Sequence, residues 1–232
     1  MLTFSSAPLT VGAITDSSAL SSDFDSSSCD LIELRLDALG AKTDVTDFCL
    51  RHHGKIPLLM TARDPKEGGL GTLTHQERIT LLETTLPYAS AIDIEIANYE
   101  IFQDLITQAQ KDNIALVSSS HDFKSFDHVT TIEKIAKAQD AGAQVAKAAV
   151  TLQDAVDLTL FESLAADLSG TRFSLMGMGF YGPASRILAA QHGSILNYGY
   201  LGDEPTAPGQ WPAKLLKDAL SFAPQIPSNA GH

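Results

Sequence analysis

"QVAKAAV", residues 144–150, decides the fold. The run is short, apolar and rich in small residues. "AGA" precedes it and "TLQDAVD" follows, so it reads as a strand buried on both faces. Such strands belong to parallel sheets covered by helices. Yet it holds Lys147, and an unpaired buried charge costs several kcal/mol. The lysine therefore needs partners or a task.

Working outward, similar runs recur along the chain: 9–15, 30–36, 56–62, 91–96, 114–120, 172–178 and 194–200. Helical spacing fills most of the gaps. Thr74 with Glu77 three residues on marks a capped helix start, and Gly142 and Gly170 mark helix ends. The serine-rich segment 15–30 is the weakest unit, with room for a short helix or a loop. Eight strand–helix units in 232 residues predict a parallel (β/α)8 TIM barrel, one domain spanning 1–232. An open doubly wound sheet would want a glycine-rich phosphate loop after the first strand, and none stands there.

The formal net charge of −12 argues against nucleic acid or an anionic membrane as partner. An anionic ligand would need particular cations, so the positions of six arginines are informative. No apolar run reaches the length of a spanning helix, and "MLTFSSAPLT" lacks the pattern of a secretory signal. Cys29 and Cys49 make neither a disulfide framework nor a metal site, and read as buried thiols in a reducing cytoplasm. The histidines show no metal-ligand spacing, so no metal is expected. His52 and His53 read as solvated, His75 as a helix start, and His192 as near the seventh helix; His128 and His232 have no informative context.

Residues two apart share a strand face. That groups Glu33, Arg35 and Asp37, and separately Asp93 and Glu95, while Met176 pairs with Met178. Arg63 and His121 fall at strand ends. In barrels the carboxyl ends of the strands carry the active site, so these residues converge with Lys147. A desolvated amine loses proton affinity from its reference near 10.4. As the neutral amine it attacks a ketone or aldehyde to form an imine. The imine acidifies the next carbon, and His121 is the candidate base. A carboxylate must orient the imidazole, and both Glu67 and Glu95 qualify on sequence alone. Arg186, near a helix start, suits a carboxylate. Thr206 and Gln210 lie in the constrained loop "DEPTAPGQWP" over the barrel mouth.

With these residues assembled, the chain resembles the type I 3-dehydroquinate dehydratases over about residues 8–220. The resemblance rests on "ELRLD" (33–37), "TARDPKEGG" (61–69), "IDIE" (92–95), "SSHDF" (119–123), "AKAAV" (146–150), "MGMG" with "SR" (176–186) and "APGQ" (207–210), in that order. It implies a homodimeric barrel that dehydrates 3-dehydroquinate to 3-dehydroshikimate, the third step toward chorismate and the aromatic amino acids, without metal or organic cofactor. Lys147 would form the imine, His121 would move the proton, and Glu67 would be the carboxylate that pairs with it. Glu33, Arg35 and Arg63 would hold ring hydroxyls, Arg186 the substrate carboxylate, Thr206 and Gln210 would close over it, and Met176 and Met178 would pack on the ring. Many members carry Ser at the position of Thr206. The first strand offers only Gly12 or Ala13 where some members have a polar contact, and the short N-terminal region implies a different closure of the lower mouth.

An aldolase would use the same lysine, but aldolases acting on sugar phosphates want a glycine-rich phosphate site after the last strands. A non-catalytic barrel binding a small carboxylic acid would not require an amine beside an imidazole.

Overall fold

The computed structural model describes residues 2, 4, 8–21, 25–224 and 226; His232 lies outside them. The predicted strands all form: β1 (Leu9–Ile14), β2 (Leu31–Arg35), β3 (Leu58–Thr61), β4 (Ala91–Glu95), β5 (Ala115–Asp122), β6 (Val145–Thr151), β7 (Phe173–Met178) and β8 (Leu196–Tyr200). They pair in parallel in the order β7-β6-β5-β4-β3-β2-β1-β8. The seam between β7 and β8 closes differently from the other joints. Ile195 N–H donates to Phe173 O at 2.9 Å. The Ser174 hydroxyl donates to Leu196 O, and Leu175 N–H donates to Ser194 Oγ at 3.1 Å. Two fully buried serines thus take over hydrogen bonds that a regular ladder would make.

Parallel neighbours need crossover connections, and helices supply most of them. They are α1 (Leu36–Leu39), α2 (Thr46–His52), α3 (His75–Thr85), α4 (Gln103–Lys111), α5 (His128–Asp140), α6 (Ala155–Asp167), α7 (Gly182–Gln191) and α8 (Ala213–Phe222). The capping box at Thr74 and Glu77 opens α3. Gly142 and Gly170 follow α5 and α6 with φ of 84° and 86°, a conformation that suits glycine and ends a helix. The serine-rich unit after β1 holds two short 3-10 turns, Ser17–Leu20 and Ser26–Ser28, rather than an α-helix. The strand reading of Asp37 needs correction. β2 stops at Arg35, and Asp37 sits in the first turn of α1.

Two kinds of core position the site. Phe48, Phe102, Phe161 and Phe173 are fully buried in the apolar clusters flanking the strands. Inside the barrel, Val11, Leu31, Leu59, Ala91, Ala115, Val145 and Leu196 form an apolar floor, with Phe4 and Leu2 packed against it. The N-terminal residues thereby help to close the lower mouth, and the polar residues are left for the upper one. Among the described residues no helix is long and apolar enough to cross a membrane.

Glycine 199 lets α8 seat against β8. A Cβ there would lie 2.4 Å from Ala213 Cα and 2.7 Å from its nitrogen, both backbone atoms that cannot rotate away. Gly199→Ala is expected to lower stability by about 1–3 kcal/mol through overpacking. Urea unfolding checks this: the midpoint falls with the slope unchanged, whereas an unchanged midpoint contradicts the packing account.

Candidate active site

The carboxyl ends of the strands open into a cleft. Its walls include Glu33, Arg35, Arg63, Glu67, His121, Lys147, Met176, Met178, Arg186, Thr206 and Gln210, whereas Asp37, Asp93 and Glu95, also singled out in the sequence, stand behind the walls. β2 carries Glu33 and Arg35, β5 carries His121, β6 Lys147 and β7 the two methionines. Arg63 follows β3, and Glu67 stands in the short turn Pro65–Glu67.

Lys147 is 5% exposed, and its charge is met. Nζ donates to Asp93 Oδ2 at 3.0 Å and lies 3.9 Å from Glu33 Oε1. It also sits 3.9 Å from the centre of the Tyr198 ring, whose π face favours a cation. Asp93 is shared. Its Oδ2 accepts from Arg63 Nη2 at 2.9 Å and its Oδ1 accepts from the Ser119 hydroxyl at 2.5 Å. Burial alone would raise the Asp93 pKa, but Arg63 and Lys147 outweigh it and hold the carboxyl far below the usual range. Arg63 also donates to Glu95 Oε1 at 2.8 Å and to Ser119 Oγ at 2.6 Å. Its guanidinium is thus committed to the protein on several sides.

His121 and Glu67 form the second centre. One carboxylate oxygen, Oε2, accepts the His121 backbone N–H at 2.9 Å and meets Nδ1 at 3.1 Å. Oε2 is the oxygen that accepts the backbone N–H, so it faces Nδ1 as an acceptor too; Nδ1 then carries the proton of this contact and Nε2 is left with its lone pair. Glu95 is instead consumed by Arg63, Arg78 and Asn98, which decides between the two carboxylates. Burial pushes the Glu67 pKa up to about 7. Burial, reinforced by Arg63 and Lys147, pulls the His121 pKa well below its ordinary value. The imidazole is therefore neutral at neutral pH, the form a general base requires.

Arg186 contrasts with the other buried arginines. It is 2% exposed, yet among the described residues no carboxylate pairs with it. Nη1 donates to Gly177 O at 3.1 Å and Gly209 O at 3.4 Å, and Nε has no hydrogen-bond partner. Burial lowers its pKa to about 10, which leaves the guanidinium charged. A buried, incompletely satisfied cation beside a cleft is a receptor for an anion. The loop after β8 lies over it. Gln210 Oε1 accepts from the Thr206 N–H at 2.7 Å and from its hydroxyl at 2.6 Å, and Pro208 O accepts the Gly179 N–H at 3.1 Å.

Sequence reasoning missed Tyr198 and Phe123 as cleft residues. Tyr198 was readable, since it occupies the strand face shared with Leu196. Phe123 was not, because it lines the cleft only where Gly68 has no side chain; a Cβ there would meet its ring at 2.3 Å. Asp37 also proves structural: it pairs with Arg35 at 2.8 Å and accepts the N–H groups of Arg63 and Leu70. Among the described residues no three of His, Cys, Asp and Glu are grouped to hold a metal ion.

Comparison with known proteins decides the family. A family model for type I 3-dehydroquinase matches residues 6–227. The chain belongs to the type I 3-dehydroquinase family. Curated members similar to it include the 3-dehydroquinate dehydratases of Methanococcoides burtonii, 32% identical over 83% of this chain and 84% of the relative, and of Enterococcus faecalis, 30% identical over 83% and 81%. The solved Enterococcus faecalis structure superposes with a TM-score of 0.80 at 25% identity, covering 95% of this chain and 96% of that one. The Clostridium difficile structure gives 0.80 at 23% identity, covering 94% and 93%. Family and fold thus agree with the barrel described above.

The lowered His121 pKa makes a pH prediction. The unfolded chain takes up this proton below about pH 6.5, while the folded chain does so only at lower pH. The His121 contribution to folding is then lost as pH falls through that window, opposed by Glu67, whose raised pKa lets the folded chain take up its proton first. By NMR, the His121 ring is expected to keep the shifts of a neutral imidazole at pH 6. Half-protonation at pH 6.5 or above would contradict the site electrostatics.

Proposed function

We propose that the chain dehydrates 3-dehydroquinate to 3-dehydroshikimate through an imine on Lys147. The single observation that carries the reading is the cleft itself: an amine, a neutral imidazole and an unpaired buried guanidinium face one space. Family membership supports the same activity, and with it the third step toward chorismate.

Arg186 binds the substrate carboxylate and so sets the ring's orientation. Thr206 and Gln210 cover that end from the loop after β8, and Met176 and Met178 pack against the ring. Glu33 and Arg35 face the ring hydroxyls, with Arg63 beside them. Lys147 Nζ sheds a proton and attacks the ketone carbon; the two protons lost from nitrogen leave with the ketone oxygen as water, and an iminium remains. His121 Nε2 takes the proton from the neighbouring carbon, and the electron pair moves into the C–N system as an enamine. The enamine then expels the hydroxyl from the next carbon. His121 returns its proton to that oxygen, water leaves, and the conjugated iminium is hydrolysed to free enone and lysine. Glu67 keeps Nε2 aimed and supports the imidazolium while it exists. Asp93 and Glu33 can take up the positive charge on nitrogen before and after the imine forms.

The reading extends to a single barrel domain over 1–232, a homodimer and a cytoplasmic location. The domain reading rests on the eight strand–helix units and the homodimer on family resemblance; the last rests on a central metabolic step and two unpaired buried thiols, Cys29 and Cys49.

The test is direct. Folded protein mixed with 3-dehydroquinate is expected to raise the ultraviolet absorbance of a conjugated enone; no rise refutes the dehydratase reading. His121→Ala is expected to slow turnover by ~10²–10⁴. Arg186→Gln is expected to lower kcat/KM by roughly 10–100-fold, the worth of a charge-assisted hydrogen bond. Wild-type kcat/KM in Arg186→Gln would remove Arg186 from the carboxylate site.

A further inference from the structure

Arg78 lies outside the cleft, in the first turn of α3, and is 1% exposed. Its guanidinium is unusually well used. Nε donates to Ala62 O at 2.6 Å, Nη1 to Asp64 Oδ2 at 3.1 Å and Nη2 to Glu95 Oε2. The group also lies 4.8 Å over the Phe102 ring. One side chain thus ties the exit of β3, the start of the following loop, the head of α3 and the end of β4.

Two chains of contacts run from it into the cleft. In the first, Arg78 and Asn98 hold Asp64 Oδ2, and Asp64 Oδ1 accepts the Lys66 N–H at 2.8 Å. Asp64 O accepts the N–H groups of Glu67 at 2.8 Å and Gly69 at 2.9 Å. The turn so fixed presents the Glu67 carboxylate to His121. In the second, Glu95 joins Arg78 to Arg63, Arg63 joins Asp93, and Asp93 holds Lys147 Nζ. Each link is a buried ion pair of alternating sign, so removing one charge unbalances its neighbours.

We propose that Arg78 is a positioning residue that holds both reacting centres in register: the imine lysine through Glu95, Arg63 and Asp93, and the base through Asp64 and Glu67. The proposal rests on the dehydratase reading for its kinetic consequences, but not for its geometric ones. Arg78 touches no group assigned to substrate binding and reaches Arg63 only through Glu95, so its loss falls more on kcat than on KM. A displacement of about 1 Å at a reacting centre costs on the order of a hundredfold.

The experiment compares wild type, Arg78→Lys and Asp64→Asn at equal folded concentration, judged by circular dichroism and melting. Arg78→Lys keeps the charge and loses the fork; Asp64→Asn keeps the backbone bonds of the turn and removes the charge that Arg78 pairs with at the head of the branch to Glu67. Arg78→Lys is expected to lower kcat by roughly ten- to a hundredfold, with KM within about threefold, and to slow both enone formation and borohydride trapping of 3-dehydroquinate. Asp64→Asn is expected to slow enone formation while trapping keeps its wild-type rate. Both are expected to shift the His121 ring NH resonance. Arg78→Ala with added guanidinium chloride is the companion measurement, used where Arg78→Lys does not fold: saturable recovery of kcat supports the proposal, while salt-matched sodium chloride gives none. Wild-type kcat with an unmoved His121 resonance in Arg78→Lys overturns it, as does a loss confined to stability or KM. If wild type makes no enone, the dehydratase reading fails, and the His121 resonance still decides the positioning claim.

Discussion

The Asp93 carboxylate is the constraint on which the rest of the site depends. It stands between Arg63 and Lys147, with the Ser119 hydroxyl on its other oxygen. Removing one partner of a buried pair typically costs ~3–5 kcal/mol, because the other charge is left stranded. Lys147 can therefore occupy a strand whose neighbours are alanines and valines only because Asp93 is delivered from β4. The barrel achieves this by placing inward residues of β4, β5 and β6 side by side. Ala149, on the same inward face, is small and leaves space beside the amine, while Ala146 and Ala148 pack outward among the helices.

The site separates two electrostatic regimes. Around Lys147 every charge has a partner of opposite sign, and the network is closed within the protein. Around Arg186 the described residues supply carbonyl oxygens only, and a full charge remains to be matched. The first regime fixes geometry, whereas the second draws in an anion. His121 lies between them, kept neutral by burial and by the cations beside it, and aimed by Glu67. A chain with a net charge of −12 has no general field to attract an anionic substrate, so this local cation must do the work.

Much of this was legible in the sequence because strand periodicity is robust. Alternation placed Lys147, Glu33 and Asp93 on inward faces, and strand ends located His121 and Arg63. The signals failed where a role depends on who arrives from elsewhere. Glu67 and Glu95 were equivalent in sequence, and only the arrival of Arg78 and Asn98 at Glu95 separates them. Arg78 looked like an ordinary helix residue, since three-dimensional contact with Ala62, Asp64 and Glu95 is invisible to a helical pattern. Asp37 misled for a related reason: two-residue spacing extended a strand that in fact turns into α1 after Arg35.

The central claim is that Lys147 is the nucleophile of this cleft. Sodium borohydride added during turnover of 3-dehydroquinate, followed by peptide mass spectrometry, tests it most directly. The account predicts a reduced adduct confined to the peptide containing Lys147, and neither adduct nor enone with Lys147→Met. An adduct on a different lysine, or undiminished enone formation by folded Lys147→Met, would contradict it.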